Sequence, residues 1–288
     1  MKPPRFDYVR TDSVREAVDA LVGGDGDGKL LAGGQSLVPM LNFRLARPSL
    51  LVDVARLQEL QRLERDGDVL VVGAGVRQHV AETSPVVRDG CALMIQALRN
   101  VGHIQIRTRG TIGGSLAHAD PAAELPAVAV ALDVELVAEG PDGRRAIPAS
   151  EFFVGPYMTA LAEDEVLVEA RFPVLPGART AFVELARRSG DFALAGIACA
   201  VVFDGEIVRQ VRLAAAGAAV APVRLSDAEA SLRGNPVNPG AIAEAAKAAS
   251  VEVSPTGADA SYRRELVGVL VGRALASVRR AQTMETSR

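Results

Sequence analysis

Residues 30–42, LLAGGQSLVPMLN, set two adjacent glycines, Gly33 and Gly34, and the polar pair Gln35 and Ser36 directly behind a short apolar run. The run reads as a strand that stops at Ala32, and the stretch from Ser36 and Leu37 onward reads as a short helix. A strand that ends on bare backbone and restarts as a helix presents peptide N–H groups at the positive end of a helix dipole, an arrangement that receives an anion. Residues 109–126, RGTIGGSLAHADPAAELP, follow the same plan. Thr111 and Ile112 lead into the paired Gly113 and Gly114, a helix is expected to start at Ser115, and the carboxylates Asp120 and Glu124 follow. Two such loops converging would suit a pyrophosphate. Each alone reads more simply as turn punctuation, and neither has the G-x-G-x-x-G spacing of a Rossmann nicotinamide or flavin site.

Working outward, FDYVR reads as a strand, and Ser13 with Glu16 forms a capping box that opens an amphipathic helix ending in GGDGDG. KLLAGG and SLLVDV add two strands, which makes residues 1–55 a small α/β unit. In residues 56–176, RDGDVLVVGAG is a strand pair around an Asp-Gly turn. VRQHVAETSPVVRDGCALMIQALRNVG reads as two helices broken near Pro85, VELVAEG and EVLVEARFP are strands, and PVLPGAR is a linker. Residues 177–288 change in texture to a meander of strands followed by alanine-rich packed helices, a separate α+β unit.

Composition narrows the chemistry. The 288 residues are 49% hydrophobic and 23% charged with a formal charge of −3, the balance of a folded chain without a basic field for nucleic acid. No apolar run reaches the roughly 18 residues needed to span a bilayer, and MKPPRFDYVR lacks the apolar core of a signal peptide, so a cytoplasmic location is expected. Cys91 and Cys199 are far apart, and His79, His103 and His118 lack ligand spacing, so no metal site is expected in this chain. There is no nucleophile elbow and no recognisable triad order.

The loops AGGQSLVPMLNFRLARP and TIGGSLAHADPAAELP, in this order, resemble those of the FAD-binding medium subunit of the molybdenum hydroxylases, the group that holds bacterial carbon monoxide dehydrogenase and relatives of xanthine dehydrogenase. RRSGDFALAG is similar to the segment opening the family's C-terminal domain, and ASYRRELVGVLVGRAL to its closing helix, so the likeness spans essentially the whole chain. The resemblance implies an α+β fold: a two-part FAD-binding domain of the vanillyl-alcohol-oxidase (PCMH) type, then a C-terminal domain of a three-stranded antiparallel sheet plus helices. It implies an oxidoreductase subunit that takes electrons from the [2Fe–2S] clusters of a small subunit and passes them through FAD to an acceptor. A large subunit would carry the molybdopterin, and the assembly would be a dimer of heterotrimers.

By the same match, Ala32, Gly33, Gly34, Gln35, Ser36 and Leu37, with Thr111, Ile112, Gly113, Gly114 and Ser115, would hold the FAD diphosphate through backbone N–H groups and hydroxyls. Glu124 would face the adenosine ribose with Asp120 in support, and Leu167 is the candidate apolar contact to the isoalloxazine. The sequence departs from the family pattern at Leu41, Asn42 and Phe43 after the first loop, at Thr108 before the second, and at Phe192 where several relatives carry Trp or Tyr. Neither loop contains His, Cys or Tyr, apart from His118 beyond the second, so the FAD is expected to be noncovalent. Two other classes stay open: a self-sufficient FAD oxidase or reductase of the same flavin-binding fold, such as a relative of the enzyme that reduces enolpyruvyl-UDP-N-acetylglucosamine, and a flavin-free assembly subunit. A cofactor-dependent reading suits a chain with few catalytic side chains, because the cofactor then carries the chemistry.

Overall fold

A computed structural model describes residues 2–286. The chain opens with β1 (Asp7–Arg10), α1 (Val14–Gly23), β2 (Gly28–Leu31), α2 (Leu37–Asn42) and β3 (Leu50–Asp53), whose strands form a parallel sheet in the order β1-β3-β2. Ser13 Oγ accepts the Glu16 N–H at 3.1 Å, while the Glu16 carboxylate accepts the Asp12 N–H at 2.8 Å, one residue before the expected cap. Val14, Ala17, Val18 and Leu21 recur at helical spacing along one buried face. That face packs against Val137, Val166 and Val168 of the next sheet.

A 3₁₀ turn at Gln58–Gln61 leads to β4 (Leu63–Asp66) and β5 (Val69–Gly73), paired around the Asp-Gly turn. Six helices follow: α3 (Gln78–Thr83), α4 (Pro85–Gly90), α5 (Ala92–Leu98), α6 (Ile104–Arg107), α7 (Ile112–His118) and α8 (Glu124–Leu132). Then come β6 (Glu135–Gly140), β7 (Gly143–Pro148), the turn-length α9 (Ala149–Phe152), the small hairpin β8 (Phe153–Gly155) and β9 (Met158–Thr159), and β10 (Val166–Pro173). The antiparallel sheet runs β4-β5-β10-β6-β7. Where two helices broken near Pro85 were expected, there are three. Ser84 caps α4 with Pro85 in its first turn, and Cys91, at φ −153° and ψ 73°, breaks the chain again. That second break turns α5 so that Leu93, Met94, Ala97 and Leu98 are buried in the main core. Polar edge strand β7, with exposed Arg144 and Arg145, carries no alternating apolar signal and was not read from the sequence.

The C-terminal unit is β11 (Arg179–Ala186), β12 (Ala193–Asp204), β13 (Ile207–Ala216) and the two-residue β14 (Val223–Arg224), then α10 (Ser226–Leu232), α11 (Pro239–Glu252) and α12 (Ala260–Thr286). Its three long strands form the expected antiparallel meander, and β14 adds a short fourth strand at the edge. One face packs on α11 and α12 through Ile197, Cys199, Val201 and Leu213. The other face carries Ala198, Ala200, Ala214 and Ala216, small side chains that let the sheet come close to α8, all nine of whose residues are buried.

The seam is pinned at both ends of α8. Ahead of its first turn, Gly217 N–H donates to Pro121 O at 2.7 Å. Past its last turn, Asp133 pairs with Arg212 and, at 2.9 Å, with Arg224, which also donates to Val130 O at 3.0 Å. Residues 120–133 are thereby fixed between the two units.

Candidate functional site

The first glycine loop leaves the end of β2 where Val54 N–H donates to Leu31 O at 3.1 Å. Gly34 sits at φ +71°, a left-handed conformation that favours glycine, and Gln35 Nε2 closes the turn onto Gly33 O at 3.0 Å. The loop then enters α2, whose first internal bond is Val38 N–H to Gly34 O at 3.1 Å. Among the described residues, the backbone N–H groups of Gly33, Gly34, Gln35, Ser36 and Leu37 find no acceptor within the chain. Five successive unpaired donors at a strand–helix turn make a concave nest for an anion.

The second loop differs. Thr111, not Ser115, caps α7: its Oγ1 accepts the Gly114 N–H at 2.9 Å, which moves the helix start three residues earlier than expected and puts Ser115 inside the first turn. Ile112 N–H donates to Val76 O and Gly113 N–H to Ala74 O, both at 2.9 Å, and Ser115 N–H donates to Thr111 O at 3.2 Å. The donors expected to face a ligand are therefore engaged inside the chain, and what this loop can offer is the hydroxyls of Thr111 and Ser115. Its backbone instead supports the first loop: Gly33 lies against Arg109 and Gly110, and the Cβ position of Gly114 is 3.9 Å from Ala32 Cβ.

Between the loops opens a cavity of about 730 Å³. Ala32, Gly33, Gly34 and Gln35 line one side, Ile106, Thr108 and Arg109 the other, and Arg56, Arg77 and Asp53 close it. Arg77 bonds two backbone carbonyls, Arg109 O and, at 3.4 Å, Ala55 O. Burial and the neighbouring Arg109 both hold its guanidinium below its ordinary pKa. Asp53 is already engaged by the Ala55 N–H at 2.8 Å and the Tyr8 hydroxyl at 2.5 Å. Three guanidiniums against one occupied carboxylate leave the cavity with an excess of positive charge, which favours an anionic guest. Sequence reading missed these arginines because the fold, not spacing, assembles them. The only sequence signal was that Arg109 directly precedes the second loop.

Asp120 and Glu124 lie at a second place, the seam with the C-terminal unit. Asp120 Oδ1 accepts the Ala122 N–H at 2.9 Å, and the Tyr157 hydroxyl donates to Oδ2 at 3.3 Å. Tyr157, held at φ +58°, has its ring centroid 5.1 Å from that of His118. Burial lowers the His118 pKa, whereas burial and Asp120 raise that of Tyr157. Glu124 is the first residue of α8 and only 6% exposed, and burial, with Glu184 and Asp120 adding negative charge, pushes its carboxyl up to about 8. Glu184, on β11, was not singled out from the sequence. Its burial raises it to about 7, and its Oε2 has no hydrogen-bond partner.

Leu167 is 5% exposed beside a bulge in β10. The next residue, Val168, accepts the Ala74 N–H at 2.8 Å, and Ala74 in turn accepts from Gly113, so the bulge supports the second loop. Phe192 is 67% exposed. Both cysteines are buried free thiols whose pKa burial raises to about 12, which suits packing rather than reactivity. Among the described residues, no group of three His, Cys, Asp or Glu could hold a metal ion, and no helix is long and apolar enough to cross a membrane.

Comparison with known proteins agrees with this geometry. Residues 4–175 match the family model of the FAD binding domain in molybdopterin dehydrogenase, and residues 180–278 that of the CO dehydrogenase flavoprotein C-terminal domain. The chain is 41% identical over 282 residues to the 6-hydroxypseudooxynicotine dehydrogenase complex subunit alpha of Paenarthrobacter nicotinovorans, covering 96% of this chain and 95% of that protein. It is 40% identical over 280 residues to the carbon monoxide dehydrogenase medium chain of Hydrogenophaga pseudoflava, covering 96% and 97%. A solved carbon monoxide dehydrogenase from Hydrogenophaga pseudoflava, lacking the Mo-pyranopterin moiety of its molybdenum cofactor, superposes with a TM-score of 0.95 at 40% identity over 98% of this chain and 99% of that one. Two family models in tandem, and relatives matched along nearly their whole length, place this chain among the FAD-binding medium subunits of the molybdenum-containing dehydrogenases.

Proposed function

We propose that this chain holds FAD noncovalently as the electron-transfer subunit of a heterotrimeric molybdenum hydroxylase. Bound there, FAD supplies the chemistry of accepting electrons from the [2Fe–2S] clusters of a small subunit, downstream of a large molybdopterin subunit, and releasing them to an external acceptor. The observation that carries the reading is the run of unpaired N–H groups from Gly33 to Leu37 beside the arginine-lined cavity, a donor set whose chemistry fits a dinucleotide diphosphate. Ala32 flanks that nest, and Arg77 and Arg109 add positive charge. Thr111 and Ser115 add hydroxyls, while Ile112 and Gly113 anchor the second loop to Val76 and Ala74 and Gly114 lies beside Ala32 of the first. Glu124, with Asp120 behind it, would face the adenosine ribose, and Leu167 would give an apolar contact to the isoalloxazine.

The proposal extends to three domains at 1–55, 56–176 and 177–288, to a dimer of heterotrimers, and to the cytoplasm, a reducing compartment in keeping with two free thiols. Purified chain titrated with FAD should bind one equivalent, and acid should release it to the supernatant. Flavin that stays with the precipitate contradicts noncovalent binding, and a chain that binds no FAD contradicts the reading.

A further inference from the structure

Asp53 ends the middle strand of the N-terminal parallel sheet, in register with Leu31 of β2 on one side and Arg10 of β1 on the other. In open α/β sheets ligands lie outside the carboxyl ends of the strands, and here that end carries the first glycine loop on β2 and Asp53 on the neighbouring β3. Val52 is buried in the core with α1, so alternation along β3 turns Asp53 to the opposite face, where it lines the cavity together with Gly33, Gly34 and Gln35. The carboxylate is held at two points: Ala55 N–H donates to Oδ1 at 2.8 Å, and the Tyr8 hydroxyl donates to Oδ2 at 2.5 Å. Its backbone is fixed as well, since the Thr11 N–H and hydroxyl both donate to Asp53 O at 3.3 Å. Two donors leave open about half of the roughly four acceptor positions of a carboxylate. Arg56, Arg77 and Arg109 line the same cavity, yet among the described residues none of the three forms an ion pair with Asp53.

We propose that Asp53 is a cofactor-binding residue that accepts a hydroxyl of the sugar portion adjoining the diphosphate, and so selects a dinucleotide over a bare anion. This rests on the FAD reading and deepens it. A carboxylate turned toward an anionic guest repels it, and the repulsion is offset only where the guest offers a hydrogen-bond donor. The diphosphate is acceptor only, whereas the carbons next to it carry hydroxyls. The unpaired N–H groups of the first loop therefore take the charge, and Asp53 takes the hydroxyl. The Ala55 N–H and the Tyr8 hydroxyl aim the carboxylate in advance, which lowers the ordering cost of the contact. The ribose and the ribityl chain of FAD share this chemistry.

The test titrates the full-length apoprotein with FAD, ADP, FMN and inorganic pyrophosphate by calorimetry, in wild type, Asp53→Asn and Asp53→Ala. Asp53→Asn keeps the turn, because its amide oxygen accepts the same Ala55 N–H, and so guards against a variant that fails to fold. FAD should bind about tenfold more weakly to Asp53→Asn and about ten- to a hundredfold more weakly to Asp53→Ala. Pyrophosphate, which has the charge without the hydroxyls, should bind both variants as tightly as wild type or more tightly, because a negative charge has left the cavity. ADP carries only the ribose and FMN only the ribityl chain, so the one whose affinity falls with that of FAD names the sugar. FAD binding that is unchanged or tighter in both variants makes Asp53 a merely repulsive charge and overturns the proposal. A parallel loss of FAD and pyrophosphate marks a deformed cavity and overturns it as well. A wild-type chain that binds no FAD overturns the FAD reading itself.

Discussion

Gly33 rests directly on the backbone of Arg109: a Cβ built on Gly33 would press into the Arg109 carbonyl and fall 2.8 Å from Gly110 Cα. The two glycine loops thus touch through peptide groups, and the first is held open from behind by the second. Gly33→Val should therefore force the loops apart, lower stability by about 1–3 kcal/mol and reduce flavin content. Gly23→Ala, where nothing lies within 4 Å, should leave flavin content unchanged and stability equal or slightly higher. Flavin content and thermal midpoint read both variants.

Arg77 gives a second prediction. Its guanidinium bonds Arg109 O and Ala55 O across the cavity mouth, and among the described residues no carboxylate is hydrogen-bonded to it. Arg77→Ala should weaken FAD binding by about ten- to a hundredfold, in line with loss of one charge-assisted contact. Arg77→Lys should recover only part of this, because a point charge cannot bridge two carbonyls as a planar fork does. Quenching of flavin fluorescence measures the affinities.

Which of these features could be read from the sequence follows from what each one depends on. The Ser13–Glu16 cap, the Asp-Gly hairpin and both glycine loops are set by neighbours in the chain, so local patterns expose them. The break at Cys91 is a tertiary effect, since α5 turns there to bury Met94. In the second loop, glycine spacing suggested ligand-facing N–H groups, but Val76 and Ala74 capture them, and those partners lie more than thirty residues back in the chain. Arg56, Arg77 and Arg109 were invisible as a group for the same reason, and Glu184 reads as an ordinary strand residue until the fold partly buries it.

The seam supports a third prediction. Asp133 accepts from Arg212 and Arg224 while its backbone sits at φ +53°, a conformation Asn also tolerates. Asp133→Asn should keep that turn and remove the charge. Because the Asp133 carboxylate is half exposed, the expected loss is about 1 kcal/mol, seen as a lowered urea midpoint.

Glu124 makes stability fall with pH. Its folded pKa, about 8, lies above the ordinary 4.5, so its contribution is fully favourable below about pH 4.5. Between about pH 4.5 and pH 8 the unfolded chain ionises this group and the folded chain does not, so stability is lost progressively, with no further loss from this group above that window. Glu124→Gln should remove this dependence and exceed wild type by roughly 2–4 kcal/mol at pH 8 in the apoprotein. Urea unfolding at several pH values measures it, and parallel curves for both proteins would contradict it.

The central claim is tested most directly by anaerobic bleaching of the FAD-loaded chain with candidate organic substrates, alone and with its partner subunits. Among the described residues the cofactor-binding regions hold no metal ligand set and no nucleophile with its base, so an artificial reductant should bleach the flavin of the isolated chain and organic substrates should not. Adding the molybdopterin and iron–sulfur subunits should make bleaching substrate-driven. Bleaching by an organic substrate with this chain alone would contradict the electron-transfer account and identify a self-sufficient flavoenzyme.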